Sequence, residues 1–322
     1  MENETQTAPA LRPLGFTDIL DEGIYLYRKN FLLFFGIAAI LLAPMEMINQ
    51  VGNGLIGRYF ESGIGEFPEV GLAWLIGLFG IVFYIFLYLP ATWISTGAMT
   101  KAIADRYLQQ PASLAESYRA IKPIFWRLVG TLLLSYVVYF VLLLPFIIPL
   151  VVLLAGSFMA IGGDSSTMIV GAIGTILGFI YLIWVGIFVV LPWSAYITPT
   201  VVVEKRGGVD ALKRSWSLMK PRRMPAVGVL IIVTVIMWVV TIPFQTIAEF
   251  ASALNVYLLG PVALFSGLAI ALATPVFQVV SVLLYFDSRV RLEGFDLEIL
   301  SAAFTPVEEQ SQTYIAQHPD SL

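Results

Sequence analysis

The chain has no cysteine, one histidine and little charge, and each shortage removes a class of chemistry. Without cysteine there are no disulfides and no thiolate ligands for zinc or iron–sulfur centres. The single histidine, His318, lies in a polar C-terminal stretch. It leaves no base for a serine or cysteine nucleophile and no histidine-rich metal cluster. Charged residues make up 12% of the 322 positions, about half the usual share of a soluble domain. Against this, 58% of the residues are hydrophobic and the mean hydropathy is +0.86, which places the chain in the membrane class. The opening MENETQTAPALRP lacks the ordered basic, apolar and cleavage regions of a signal peptide, so insertion is expected through the first true span.

Long uncharged intervals mark the spans. Lys29 to Glu46 encloses 16 uncharged residues, Glu69 to Lys101 31, Arg127 to Asp164 36, Asp164 to Glu204 39, Arg223 to Glu249 25, and Glu249 to Asp287 37. About 20 apolar residues cross a bilayer, so each interval predicts one helix and the fold is an all-α polytopic membrane protein with six spans. The first is short unless it continues through Glu46 toward Gln50. Of the 18 lysines and arginines, 17 fall in alternate loops and only Arg58 on the other side. The positive-inside rule then puts both termini in the cytoplasm.

The basic loops share a pattern. Leu212, Trp216 and Met219 sit at spacing 0, 4, 7, one face of a helix. The same spacing recurs at Leu114, Tyr118 and Ile121, and again at Leu20, Ile24 and Tyr27. Lys122-Pro123 and Lys220-Pro221 match at an offset of 98 residues, as do Pro145 and Pro243. Ser113-x-x-Glu116 opens the second copy as a capping box. Three parallel repeats follow, each an amphipathic elbow helix plus a pair of spans. Their expected bounds are about 15–112, 113–207 and 208–300 within a membrane domain at 15–300. A polar tail at 1–14 precedes that domain and another, at 301–322, follows it.

Seven basic residues crowd between Lys205 and Arg223. An in-plane elbow explains them: its apolar face sinks into the acyl boundary while the basic residues meet lipid phosphates. The candidate anionic-lipid contacts are Lys122, Arg127, Lys213, Arg214, Trp216, Lys220, Arg222 and Arg223. Every span also carries a proline, at Pro44, Pro90, Pro145 with Pro149, Pro192, Pro243 and Pro275.

Ionisable and amide side chains inside spans are few: Glu46, Gln245, Glu249 and Gln278. A carboxylate within a span costs about 3 kcal/mol and is a functional hypothesis by default. Counted from Lys29, however, Glu46 is about 25 Å along, so it and Glu249 are expected at the outer interface. DSRVRLEGFDLE, from Asp287, reads as a helix end whose charges pair locally. Asp18, Asp21 and Glu22 read as a solvated first turn. GLIGRYFESGIGEFPEVG, from Gly54, is expected as a glycine-rich outer loop. No catalytic, cofactor or metal residue is assigned.

Three stretches carry a resemblance: LRPLGFTDILDEGIYLYRKNFLLFF, PTVVVEKRGGVDALKRSWSLMK and LLYFDSRVRLEGFDLE. They resemble the prokaryotic integral membrane family named for the membrane region of glycerophosphoryl diester phosphodiesterases, over about residues 11–300. The resemblance implies a multi-pass protein of a bacterial or archaeal cytoplasmic membrane. In that family a separate soluble domain carries hydrolysis; these residues are expected to lack it, so no catalytic residue is carried over. The expected function is a non-enzymatic module that associates with anionic lipid or anchors a protein partner, with no cofactor and no nucleic acid. The alternative is a small-solute transporter or channel.

Overall fold

The computed structural model describes residues 12–61, 75, 77–80, 82–159, 165–254 and 258–303. The N-terminal stretch to residue 11, residues 62–71 of the stretch expected as a glycine-rich loop, Asp164 and the tail with His318 lie outside them, whereas residues 54–61 of that expected loop are helical. The described residues form helices and no strand. Six helices are long and apolar enough to cross a membrane, so this is a multi-pass helical protein.

Helix α1 (Phe16–Lys29) is short and amphipathic. The Asp18 carboxylate accepts the Gly15 N–H at 3.0 Å, and Arg28 and Lys29 occupy the last turn, so both ends suit the helix dipole. Helix α2 (Phe31–Glu61) is the first span and runs well past Gln50. The second span comprises a π-turn (Tyr84–Tyr88) and α3 (Leu89–Tyr107). Short helix α4 (Leu114–Ile121) leads through a 3₁₀ turn (Lys122–Ile124) into the third span, α5 (Phe125–Met159). The fourth span joins α6 (Ser165–Val185), a π-turn (Gly186–Val190) and α7 (Leu191–Val203). Short helix α8 (Gly208–Met219) turns through Lys220–Arg222 into α9 (Arg223–Leu254). The sixth span, α10 (Leu259–Glu293), ends at Gly294 in the left-handed conformation, φ 65°, which a glycine adopts without steric cost. Helix α11 (Phe295–Ala303) follows.

Both π-turns stand immediately before a Leu-Pro pair, Leu89-Pro90 and Leu191-Pro192. Proline lacks the N–H for the normal ladder and its ring crowds the preceding turn. Widening that turn by one residue relieves the clash without breaking the helix. Pro44, Pro243 and Pro275 instead lie inside continuous helices.

The sixth span is the hub. In its most apolar window 67% of the residues are buried, against 33% in the first span and less in the rest. It packs most heavily on α2 and α9. The basic-side segments α3, α7 and α10 also pack on one another, around fully buried Met99, Ile103, Tyr196, Leu283 and Phe286.

Each short helix lies on an even-numbered span: α1 on the sixth, α4 on the second, α8 on the fourth. Side-chain donors tie them down. Tyr27 donates to the Leu272 carbonyl at 2.9 Å, Tyr118 to the Ile37 carbonyl at 2.6 Å, and Trp193 to Ser215 Oγ at 2.9 Å. Burial raises the Tyr27 hydroxyl above the ordinary tyrosine range. Each short helix carries a small buried residue, namely Gly23, Ser117 and Ser215. At Gly23 even a Cβ would stand 3.3 Å from Val280.

This packing corrects the expected seating of the elbows. Ile121, Leu212 and Met219 belong to the protein's own core, with Leu20, Tyr27, Leu114, Tyr118 and Trp216 packed against it. Their apolar faces therefore cover helices, not acyl chains. In α1 the buried face is Ile19, Gly23 and Leu26, one residue before the predicted set, and Ile24 is 50% exposed. The Ser113 cap is present, with its Oγ accepting the Glu116 N–H at 3.3 Å. Its hydroxyl donates to the Glu116 carboxylate at 2.7 Å, so the pair closes side chain to side chain.

Candidate functional site

The 17 basic residues of the alternate loops include two populations. One faces outward. Lys122, Arg127, Lys205, Lys213 and Lys220 are exposed, and no acid pairs with them among the described residues. Half-buried Arg223 is likewise without an ion pair there. Trp126, between the 3₁₀ turn and Arg127, is 81% exposed. A tryptophan beside lysines at the start of a span is a typical occupant of the membrane–water boundary. Neither Trp126 nor Lys205 was among the expected contacts, although the KPIFWR run carries the interfacial signal for the first.

The second population is bound internally, which corrects three expected lipid contacts. Arg214 Nε reaches Glu204 at 2.9 Å and Arg214 Nη2 donates to Glu293 at 2.8 Å. Arg222 Nη2 meets Asp287 Oδ2 at 3.1 Å. Trp216 turns inward, with its ring 5.2 Å from that of Trp193 in an edge-on contact. Helix periodicity gave the face of α8 but not its neighbour, and acids 10 to 79 residues away in sequence claim these groups.

These contacts also revise the reading of DSRVRLEGFDLE. Local pairs do form, Arg291 to Asp287 at 2.8 Å and Arg289 to Glu293 at 3.1 Å. Asp287 is 2% exposed, however, and ties distant segments together. Its Oδ1 accepts the Leu14 N–H at 2.8 Å, while Arg291 donates to the Leu14 carbonyl at 2.7 Å. Glu204 similarly gathers Arg206, Arg214 and the Tyr285 hydroxyl. The network joins the N-terminal segment, the fourth span, α8, the turn into α9, and the sixth span.

A loop built around Arg127 lies on the outward face. Its Nη1 donates to the Lys205 carbonyl. A Cβ at Gly207 would overlap the Arg127 Cγ, so glycine is what lets the arginine stem cross the loop. Lys205 and Gly208 both take left-handed backbone angles, φ 54° and 60°, and the Gly208 N–H donates to Thr131 Oγ1 at 2.7 Å. Together they frame a cleft of about 800 Å³ that also includes Asp210, Lys213 and Arg214.

The intramembrane candidates separate. Glu46 is 4% exposed and is the sixteenth residue of the 31-residue α2, so it is enclosed by protein. Tyr88 donates to its Oε2 at 3.0 Å and Gln50 to its Oε1 at 3.2 Å. Gln278 is buried in α10, and Glu249 is exposed on α9. Gln245 lines a lateral groove of about 660 Å³ with Thr234, Trp238 and Thr274. Asp18, Asp21 and Glu22 border a cleft of about 1070 Å³ shared with Arg12, Lys29 and Arg106. No cluster of metal-ligating residues occurs among the described residues.

No curated protein and no solved structure matches the chain. The model of one family, described as a domain of unknown function, DUF8558, matches residues 69–291. That stretch takes in the second to sixth spans and more than two-thirds of the 322 residues; the chain belongs to this family.

Proposed function

We propose that the protein is a non-enzymatic membrane module that gathers anionic lipid, or a partner docked there, on its basic side. One observation carries the reading: Lys122, Lys205, Lys213 and Lys220 face outward and make no ion pair among the described residues, beside an 81% exposed Trp126. Each lysine near an anionic leaflet contributes about 1 kcal/mol. The reading places this side, with both termini, in the cytoplasm of a bacterial or archaeal cell. It also takes the chain as three parallel repeats related to the phosphodiesterase-type membrane regions. The cyclic order of packing supports the repeats, since every elbow lies on the even span that precedes it, α1 closing the ring on the sixth. The shared small residues and the matching Lys-Pro turns support them too.

The internal pairs decide which residues test it. Arg222→Glu would set a second acid beside buried Asp287, so charge change there reports on folding. Lys122→Ala with Lys220→Ala leaves the ion-pair network intact. Native mass spectrometry of this double variant should show anionic phospholipid held about 30-fold more weakly than by the parent. Equal retention by both proteins would mean the lysines set topology only.

Enclosed Glu46, at the midpoint of α2, favours a second reading as a small-solute or ion transporter. Proteoliposomes that pass no more proton or sodium than protein-free vesicles would remove it.

A further inference from the structure

We infer that the cleft framed by Arg127, the Glu204–Gly208 loop and α8 is a discrete site for a phosphomonoester group at the head-group level of the membrane. The inference rests on the lipid reading above for the source of that group, and on the cleft's own construction for its chemistry.

Charge selects the ligand class. Five basic side chains border the cleft, Arg127, Lys205, Arg206, Lys213 and Arg214, with Asp210 the one acid lining it among the described residues. Glu204 neutralises Arg206 and shares Arg214 with Glu293. Arg127, Lys205 and Lys213 remain against Asp210, a surplus of two positive charges. A phosphomonoester carries about −1.5 to −2 near pH 7, whereas a phosphodiester carries one negative charge and would leave the surplus half met.

Geometry selects the same group. Arg127 spends one Nη1 hydrogen on the Lys205 carbonyl, so its fork is held in place with the remaining donors available. A fixed guanidinium is the side chain best matched to phosphate oxygens. The left-handed Lys205 and the unfilled Gly207 are what hold it there. Arg127 is the third residue of α5 and adjoins exposed Trp126, which sets the cleft at the depth of lipid phosphates.

The test uses the full chain in phosphatidylcholine nanodiscs, titrated with phosphatidic acid, with phosphatidylglycerol, or with inorganic phosphate. Saturable binding of one phosphatidic acid per chain, tighter than phosphatidylglycerol, is expected. Lys205→Gln with Lys213→Ala should weaken it about 30-fold. Gly207→Ala, which displaces Arg127 without changing charge, should weaken it as well, and an unchanged melting temperature of Lys213→Ala controls for folding. Equal retention of both anionic lipids, untouched by these variants, overturns the site and leaves the lipid reading standing. Saturable inorganic phosphate binding that the variants abolish, without lipid retention, keeps the site and removes the lipid reading. Binding in no arm removes both.

Discussion

Asp287→Ala should lower stability by about 3 kcal/mol, at the low end of the range for breaking a buried ion pair. The carboxylate is 2% exposed and accepts three bonds, from the Leu14 N–H, Arg222 and Arg291. Alanine leaves both guanidinium groups without their acid and strands a buried backbone donor. Both arginines keep some contact with water, their side chains being 26% and 32% exposed, which is why the low end applies. At about 2 °C per kcal/mol for a chain of this size, the apparent melting temperature should drop by about 6 °C. Asp287→Asn, which keeps the shape and one acceptor, should fall between. Chymotrypsin should also cut faster after Leu14, since that residue loses its tie through both its N–H and, by way of Arg291, its carbonyl. An unchanged melting curve for Asp287→Ala would show that the network carries no stability.

Gly267→Val should cost about as much, by a different route. At Gly267 a Cβ would stand 2.6 Å from the Ala43 carbonyl oxygen and 3.0 Å from its Cα. Both are backbone atoms of α2, so no side chain can swing aside. The helices must separate, and overpacking of this kind costs about 1–3 kcal/mol, with valine at the upper end. The first and sixth spans would part close to Glu46, loosening its enclosure by Tyr88 and Gln50. Gly97→Ala is the control. Its Cβ would meet Leu128 Cδ2 at 2.8 Å and Ile121 at 3.3 Å, both ends of flexible side chains. Small losses are expected there, below about 1 kcal/mol. Equal melting temperatures for the two variants would refute the close-approach account of the α2–α10 crossing.

The spans were legible because each bilayer crossing needs a long uncharged run whatever its neighbours are. The short helices were legible as helices through their 0, 4, 7 spacing, but spacing left their environment open. An apolar stripe can cover lipid or protein equally well, and here Ile121, Leu212 and Met219 cover protein. In α1 the true face begins one residue earlier, because Gly23 admits Val280 where a larger residue could not. The enclosure of Glu46 was not legible, because it depends on Tyr88, 42 residues further along the chain. Arg214 and Arg222 looked like surface cations because their acids lie far along the chain.

By itself the sequence determined the membrane class, the six apolar runs, the one-sided basic charge and the absence of cysteine or histidine chemistry. These are properties of composition and local order, and the bilayer tests them one segment at a time. Only the tertiary structure decided which basic residues stay outward, that Glu46 is enclosed, that the sixth span is the hub, and that Arg127 is locked into a loop. Each of those depends on pairing residues tens to hundreds of positions apart, and burial and electrostatic pairing are properties of contacts that local sequence does not contain.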